Sequence, residues 1–209
     1  MQLQPIANNY IVYAPEYYIL FACALVAAVW SDCLTLVLLV CGLFALVLYF
    51  FQGASHIRRG PIDSSALYCP CDGVVAAIVP HARYTQICVF LNVYNTHVQY
   101  APFACTVKII QHTPGSFHPA YLLTKSQYNE RTEYVLSNPV FGDVLFVQIA
   151  GQLARRIVSF VKPEQSLAPL EPLGLIKLGS RCDIYVPNEA TIHKSVGDRA
   201  RIGDILATK

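Results

Sequence analysis

Charge is scarce in this chain. Acidic and basic side chains make up 13% of 209 residues, the formal net charge is +2, and hydrophobic types reach 55%. So slight a positive balance, with no dense Lys/Arg run interleaved with aromatics, excludes the electrostatic footprint of a nucleic-acid-binding protein. Between Tyr17 and Phe51 the scarcity is extreme: Asp32 is the one charged side chain. No basic cluster heads this run and Glu16 precedes it, which argues against a cleaved signal peptide. Paired cysteine motifs are lacking too. Cys69-Pro70-Cys71 has one intervening residue where common zinc pairs have two to four, and no second pair accompanies it. No metal is expected. Cys23, Cys33 and Cys41 read as small hydrophobes, and all eight cysteines as reduced thiols. Internal repeats and low-complexity linkers are absent, which leaves Gly53 to Asp63 as the candidate hinge.

What is present begins with the apolar stretch. It splits into Tyr17 to Trp30 and Cys33 to Phe51, interrupted by Ser31-Asp32. At 1.5 Å per residue the second run would reach about 28 Å, enough to cross a bilayer core, and the first about 21 Å. Asp32 at mid-membrane would cost about 3 kcal/mol, so it belongs at an interface. A helical hairpin with its tip at Ser31-Asp32 satisfies this; a single crossing with an interfacial first helix is the alternative. His56, Arg58 and Arg59 follow directly and place the remainder on the cytoplasmic face. The expected organisation is a membrane anchor over residues 1–55 and a β-rich domain over 56–209.

Short β-rich runs with turn residues between them fill the second part. Val74 to Val79, Gln86 to Leu91, Thr106 to Gln111, Glu133 to Leu136, Val144 to Ala150, Arg155 to Val161 and Cys182 to Val186 read as strands. Pro119 to Asn129 has room for one or two helical turns. The pattern predicts a mainly β fold, a sandwich or barrel. Glycine-turned corners at Gly197 and Gly203 resemble the closing hairpins of lipoyl-type domains, but Lys194 lacks the hairpin-tip setting of a carrier lysine.

The chemically suggestive pair is Gly179-Ser180. Glycine leaves its carbonyl uncrowded, and serine supplies a hydroxyl that can attack it and take over the acyl group as an ester. Elimination and hydrolysis would leave a pyruvoyl group, an electron sink for a substrate amine. The plain alternative is a Gly-Ser turn. Self-cleavage needs a base, and histidine serves near neutral pH. Six are present: His56, His81, His97, His112, His118 and His193. His97 lies in a strand-like segment crowded with polar side chains. Asp72, in Asp72-Gly73, could orient a base or could simply make a turn.

Together these pieces resemble the phosphatidylserine decarboxylase proenzymes, particularly their short bacterial and archaeal forms. The matching stretches are Cys69 to Gly73, Phe90 to Pro102, Pro114 to Ala120, Asn129-Glu130-Arg131 and Leu178 to Asp183. The resemblance implies cleavage between Gly179 and Ser180 and a covalent pyruvoyl cofactor derived from Ser180. It makes Asp72, His97, Gly179 and Ser180 the processing and catalytic set, with Arg131, Asn129 and His112 on the substrate side. Arg131, Arg155, Arg156 and Lys108 are candidates for a lipid phosphate. It also implies a phospholipid substrate, diacyl or ether-linked, and admits homo-oligomers of the cleaved chains. Gln99-Tyr100 stand where the family has Asn-Arg, losing a cation, and Asn92-Val93-Tyr94-Asn95 replace Ser-Pro-x-Asp, losing an acid. A non-catalytic membrane-bound β-domain that binds a lipid or partner protein is the competing expectation.

Overall fold

The computed structural model describes residues 15–54, 57, 62–152, 156–177 and 180–209. His56, Arg58, Arg59, Arg155 and Gly179, all used in the sequence reading, lie outside the described residues. The chain divides into two compact units, residues 1–55 and 56–209.

The first unit holds α1 (Pro15–Trp30) and α2 (Leu34–Phe50). Ser31 stops α1 by donating its Oγ to the Ala28 carbonyl at 2.7 Å. Asp32 then takes the left-handed conformation (φ 55°), which aspartate tolerates better than most residues. Aromatic rings join the two helices, Tyr18 and Phe21 both meeting Phe44. Many other large apolar side chains stay exposed, among them Ile19, Val26, Leu38 and Leu46. The helices contain 16 and 17 residues, a rise of about 24 and 26 Å against a bilayer core of about 30 Å. No described helix is long and apolar enough to cross a membrane. The length expected of the second run, about 28 Å, is therefore corrected to about 26 Å. Its end residues, Cys33 and Phe51, are the caps of α2 rather than part of it.

The second unit is mainly β. Its strands are β1 (Ala66–Tyr68), β2 (Gly73–Pro80), β3 (Tyr84–Leu91), β4 (Val98–Tyr100), β5 (Cys105–Thr113), β6 (Arg131–Asn138) and β7 (Gly142–Ala150). There follow β8 (Ile157–Ser159), β9 (Ser166–Leu167), β10 (Pro172–Ile176), β11 (Ser180–Pro187), β12 (Thr191–Ile192), β13 (Arg199–Ala200) and β14 (Ile205–Thr208). One helical turn, α3 (Leu123–Ser126), precedes β6. It lies inside the stretch expected to hold helix, and each of the seven expected strands has a counterpart.

The large sheet has eight strands in the order β13-β2-β3-β11-β7-β6-β5-β9, and two three-stranded sheets, β1-β14-β12 and β4-β10-β8, accompany it. All named pairings are antiparallel. The sheets are open, so the closed-barrel form of the expectation is corrected. Both edges of the large sheet are two-residue strands, and short edges of this kind blunt further pairing. Strand β6 alternates buried and half-buried residues, as a strand covered on one face does. Central β11 is largely buried on both faces, and its inner residues pack with Val89, Leu91, Phe146 and Leu206 in the core.

Candidate active site

Ser180 is the first residue of β11, the fourth strand of the large sheet. It pairs with Leu91, the last residue of β3, and with Ala150, the last residue of β7. Three strand ends thus meet in one row. Ser180, Cys182 and Ile184 share the inner face, while Arg181, Asp183 and Tyr185 take the other. The Ser180 Oγ is fully buried, and it is the one buried side-chain polar atom without a hydrogen-bond partner among the described residues. Leaving such a hydroxyl unpaired costs about 1–3 kcal/mol, so folded proteins rarely do it.

His97 sits between the turn after β3 and the start of β4, wholly buried. Burial pulls its pKa down to about 4, against a smaller opposing effect of the Asn95 carbonyl. The ring is therefore neutral at pH 7. Nδ1 lies 2.7 Å from that carbonyl, which can only accept, so Nδ1 carries the proton and Nε2 is the basic nitrogen. The His97 carbonyl accepts the Ile176 N–H at 3.1 Å. Ile176 is four residues before Ser180, so His97 is tied to the stretch leading into the serine.

A relay of neutral side chains holds this carbonyl from the other side. Tyr134 donates to Gln148 Oε1 (2.8 Å), Gln148 donates to Gln99 Oε1 (2.5 Å), and Gln99 donates to the His97 carbonyl (2.6 Å). All four residues are buried. Burial pushes the Tyr134 phenol up to about 12, so it remains a donor. Gln99 and Tyr100, which replace a family cation, both face the interior here.

Asp72 precedes the residue in line with Ser180. Val74 and Arg181 both pair with Phe90, so Gly73, Leu91 and Ser180 share a row, with Gly73 about 10 Å from Ser180 across two strand spacings. Gly73 cannot be another residue, because a Cβ would collide with the Phe90 carbonyl oxygen. Asp72 Oδ1 accepts the Ile202 N–H at 2.9 Å, which anchors the turn to the C-terminal hairpin. Beside it, burial pushes the Cys71 thiol well above its usual range, and a hydrogen bond with Cys182 adds to the shift. The Cys69–Gly73 turn therefore rests against the second inner residue of β11. No metal-ligand cluster occurs among the described residues.

The expected substrate-side residues have mixed settings. Asn129 is buried. Its Oδ1 accepts the His118 N–H (2.8 Å), and its Nδ2 donates to the carbonyls of His118 and Ala150 (both 2.7 Å). It thereby fastens the preceding loop to Ser180's strand partner. Arg131 donates to Glu133 at 2.9 Å and to the Gln127 carbonyl, so its charge is largely met. His112 is half exposed, with Nδ1 at 3.0 Å from Thr132 Oγ1 and Nε2 at 3.9 Å from Glu130. Lys108 pairs with Asp143, seven residues and about 24 Å along β7 from Ala150. As a phosphate ligand it is too distant, and that expectation is corrected. Lys194 donates to Asp204 Oδ2 at 3.0 Å and to the Arg199 carbonyl at 3.1 Å, so it is no carrier tip.

Sequence reasoning missed the buried pair next to the serine. Arg181 grips Asp183 with two hydrogen bonds (2.8 and 3.0 Å) and donates to Ser126 Oγ (2.6 Å) and the Ala120 carbonyl (3.2 Å). Gln86 donates to Asp183 Oδ2. The signal available was Arg-x-Asp on one face of a central strand, where charges must pair to be buried.

The family model for phosphatidylserine decarboxylase matches residues 43–208. Two curated relatives are both named phosphatidylserine decarboxylase proenzyme. The one from Desulfotalea psychrophila is 36% identical over 183 residues, 84% of this chain and 85% of its own length. The one from Parabacteroides distasonis is 42% identical over 153 residues, 69% of each chain. The matched region takes in Asp72, His97, Ser180 and the buried Arg181–Asp183 pair, and on that extent of likeness the chain belongs to the phosphatidylserine decarboxylase family, a family of carboxy-lyases.

Proposed function

We propose that the protein is a proenzyme that cuts itself between Gly179 and Ser180 and then decarboxylates a serine-headed membrane phospholipid, phosphatidylserine or its ether-linked equivalent. His97 Nε2 takes the proton of Ser180 Oγ, and the oxygen attacks the Gly179 carbonyl carbon. The Gly179–Ser180 C–N bond breaks and an ester remains. Removal of the Ser180 α-proton expels the Gly179 carboxylate, and the dehydroalanine left behind takes up water and loses ammonia. Residues 1–179 and 180–209 become separate chains, the shorter with a pyruvoyl end. That group supplies an electron sink for the substrate amine.

The chain's own residues position and exclude. His97, buried and fixed through both Nδ1 and its carbonyl, holds a base on the processing side and returns a proton to the carbon that loses carbon dioxide. Asp72 braces the turn beside β11. Asn129 shapes the loop that borders the site, while Arg131, Arg156 and His112 face the lipid headgroup. The hairpin of α1 and α2 sinks its exposed apolar side chains into the membrane without crossing it, with the β-rich unit on the cytoplasmic face.

The observation that carries this reading is the buried, unpartnered Oγ at the head of a central strand. Conversion to a ketone removes the orphaned hydroxyl donor, so the site suits the product better than the precursor. A denaturing gel tests it. The protein should yield a fragment of 30 residues, about 3 kDa of its 23.2 kDa, and release carbon dioxide from serine-labelled lipid. Ser180→Ala should abolish both. A single uncut chain that still decarboxylates, or cleavage that survives Ser180→Ala, refutes the proposal.

A further inference from the structure

We infer that the segment Ser116–Tyr128, together with the turn Asn92–Asn95, forms a lip at the Ser180 end of the large sheet that presses against an anionic bilayer surface and takes the lipid from it. This deepens the proposed function and rests on it. Tyr94, Tyr121 and Tyr128 are 73%, 60% and 66% exposed, and Val93 and Leu122 are exposed beside them. Tyrosine is the side chain that favours a membrane interface, with an apolar ring and a wet hydroxyl. Such residues scattered over a surface would mean nothing. Here three tethers gather them at the serine end of the sheet.

Tyr121 meets Phe90 edge-on at 6.1 Å, and Phe90 is the strand partner of Arg181. The Ala120 carbonyl and Ser126 Oγ on either side of Leu122 accept from Arg181 itself. Tyr128 adjoins Asn129, whose amide is fixed to Ala150, the other partner of Ser180. Tyr94 follows Leu91 by three residues. The lip is built rather than loose. Ser116 bridges to Asn129, and Gly115 lies so close to the backbone of residues 128–130 that a Cβ has no room.

Charge points to the same occupant. No aspartate or glutamate occurs between Asp72 and Glu130, so both lip segments are free of acidic side chains, and Lys125 is exposed within the longer one. A surface of exposed tyrosines, leucine and a lysine suits an anionic lipid interface better than a basic or strongly polar partner.

The test separates surface contact from chemistry. In the full chain, Tyr121→Ser with Leu122→Ser should leave self-cleavage intact and turnover of monomeric short-chain phosphatidylserine unchanged. Turnover of phosphatidylserine in phosphatidylcholine vesicles should fall at least tenfold. Equal loss on both substrates, or loss on neither, overturns the lip. A second readout needs no activity. Trp30 is the only tryptophan, so Trp30→Phe with Tyr121→Trp, in uncut Ser180→Ala protein, places one reporter on the lip. Vesicles of acyl-brominated phosphatidylcholine with phosphatidylserine should quench it. They should not quench the matching reporter at Tyr84→Trp, which lies at the far end of β3, about 24 Å along the strand. Equal or absent quenching refutes the inference. So does a lip variant that changes oligomer size and leaves vesicle contact alone, since a second copy then covers the surface. Should the wild type release no carbon dioxide from either lipid, the proposed function fails while the quenching still decides the lip.

Discussion

Removing the Arg181 guanidinium is the perturbation whose size follows most directly from the structure. The side chains of Arg181 and Asp183 are 4% and 2% exposed, so water cannot compensate for a lost partner. Arg181→Met leaves Asp183 with only the neutral Gln86 amide and Cys88 thiol as side-chain partners among the described residues. It also frees Ser126 Oγ and the Ala120 carbonyl from their charged donor. Breaking a buried pair on one side costs about 3–5 kcal/mol, whereas replacing both partners with apolar residues is often close to neutral. Arg181→Met and Asp183→Leu should therefore each destabilise by about 3–5 kcal/mol, and the double variant by far less than their sum. The measurement is urea unfolding of Ser180→Ala protein in detergent, where the chain stays intact and only folding is read. Coupling beyond about 2 kcal/mol is expected, because contacting charges are strongly non-additive. Additivity within about 0.5 kcal/mol would refute the claim that the pair acts as one unit.

Two further predictions concern His97. Its pKa of about 4 lies below the unfolded value near 6.5, so it is neutral in both states above pH 6.5. As pH falls from 6.5 to 4 the unfolded chain takes up the proton first, and Ser180→Ala protein should lose about 3 kcal/mol of stability. His97→Gln should flatten that part of the stability curve, and superimposable curves for the two proteins would disprove the assignment. Gln148→Leu interrupts the relay, leaving the Tyr134 hydroxyl and Gln99 Oε1 buried without their partner. A stability loss of about 2–4 kcal/mol and a longer half-time of self-cleavage on a timed gel are expected; cleavage at the wild-type rate would show that the relay does not position His97.

The long strands were legible because each is a run of β-branched and aromatic residues between turn residues, and local pattern suffices for that. The strand Val144 to Ala150 and the Ser31-Asp32 helix break are of this kind. The short strands β1, β9, β10, β12, β13 and β14 were not. Two to five residues carry too little periodicity, and these pairs exist because distant segments supply their hydrogen bonds. The same limit applied to the site. His97, Asp72 and Ser180 stood out by residue type and family pattern. Gln99, Gln148 and Tyr134 are unremarkable in sequence, are separated by 49 residues from Gln99 to Gln148 and by 14 from Gln148 to Tyr134, and gain meaning only when β4, β6 and β7 are brought together. Lys108 looked suitable as a cation, but the register of β5 and β6 carries it to the wrong end of the sheet.

Composition and spacing were enough to specify a nearly uncharged helical hairpin, a β-rich remainder and a glycine-serine pair with histidine and aspartate available to it. Those features depend on side-chain type and on order along the chain. Burial of the serine hydroxyl without a partner, neutrality of the imidazole and the grip of Arg181 on the neighbouring loop depend instead on which strands lie side by side. Desolvation and hydrogen-bond geometry arise between segments far apart along the chain, Arg181 reaching Ser126 across 55 residues and the Ala120 carbonyl across 61, and no local pattern encodes them.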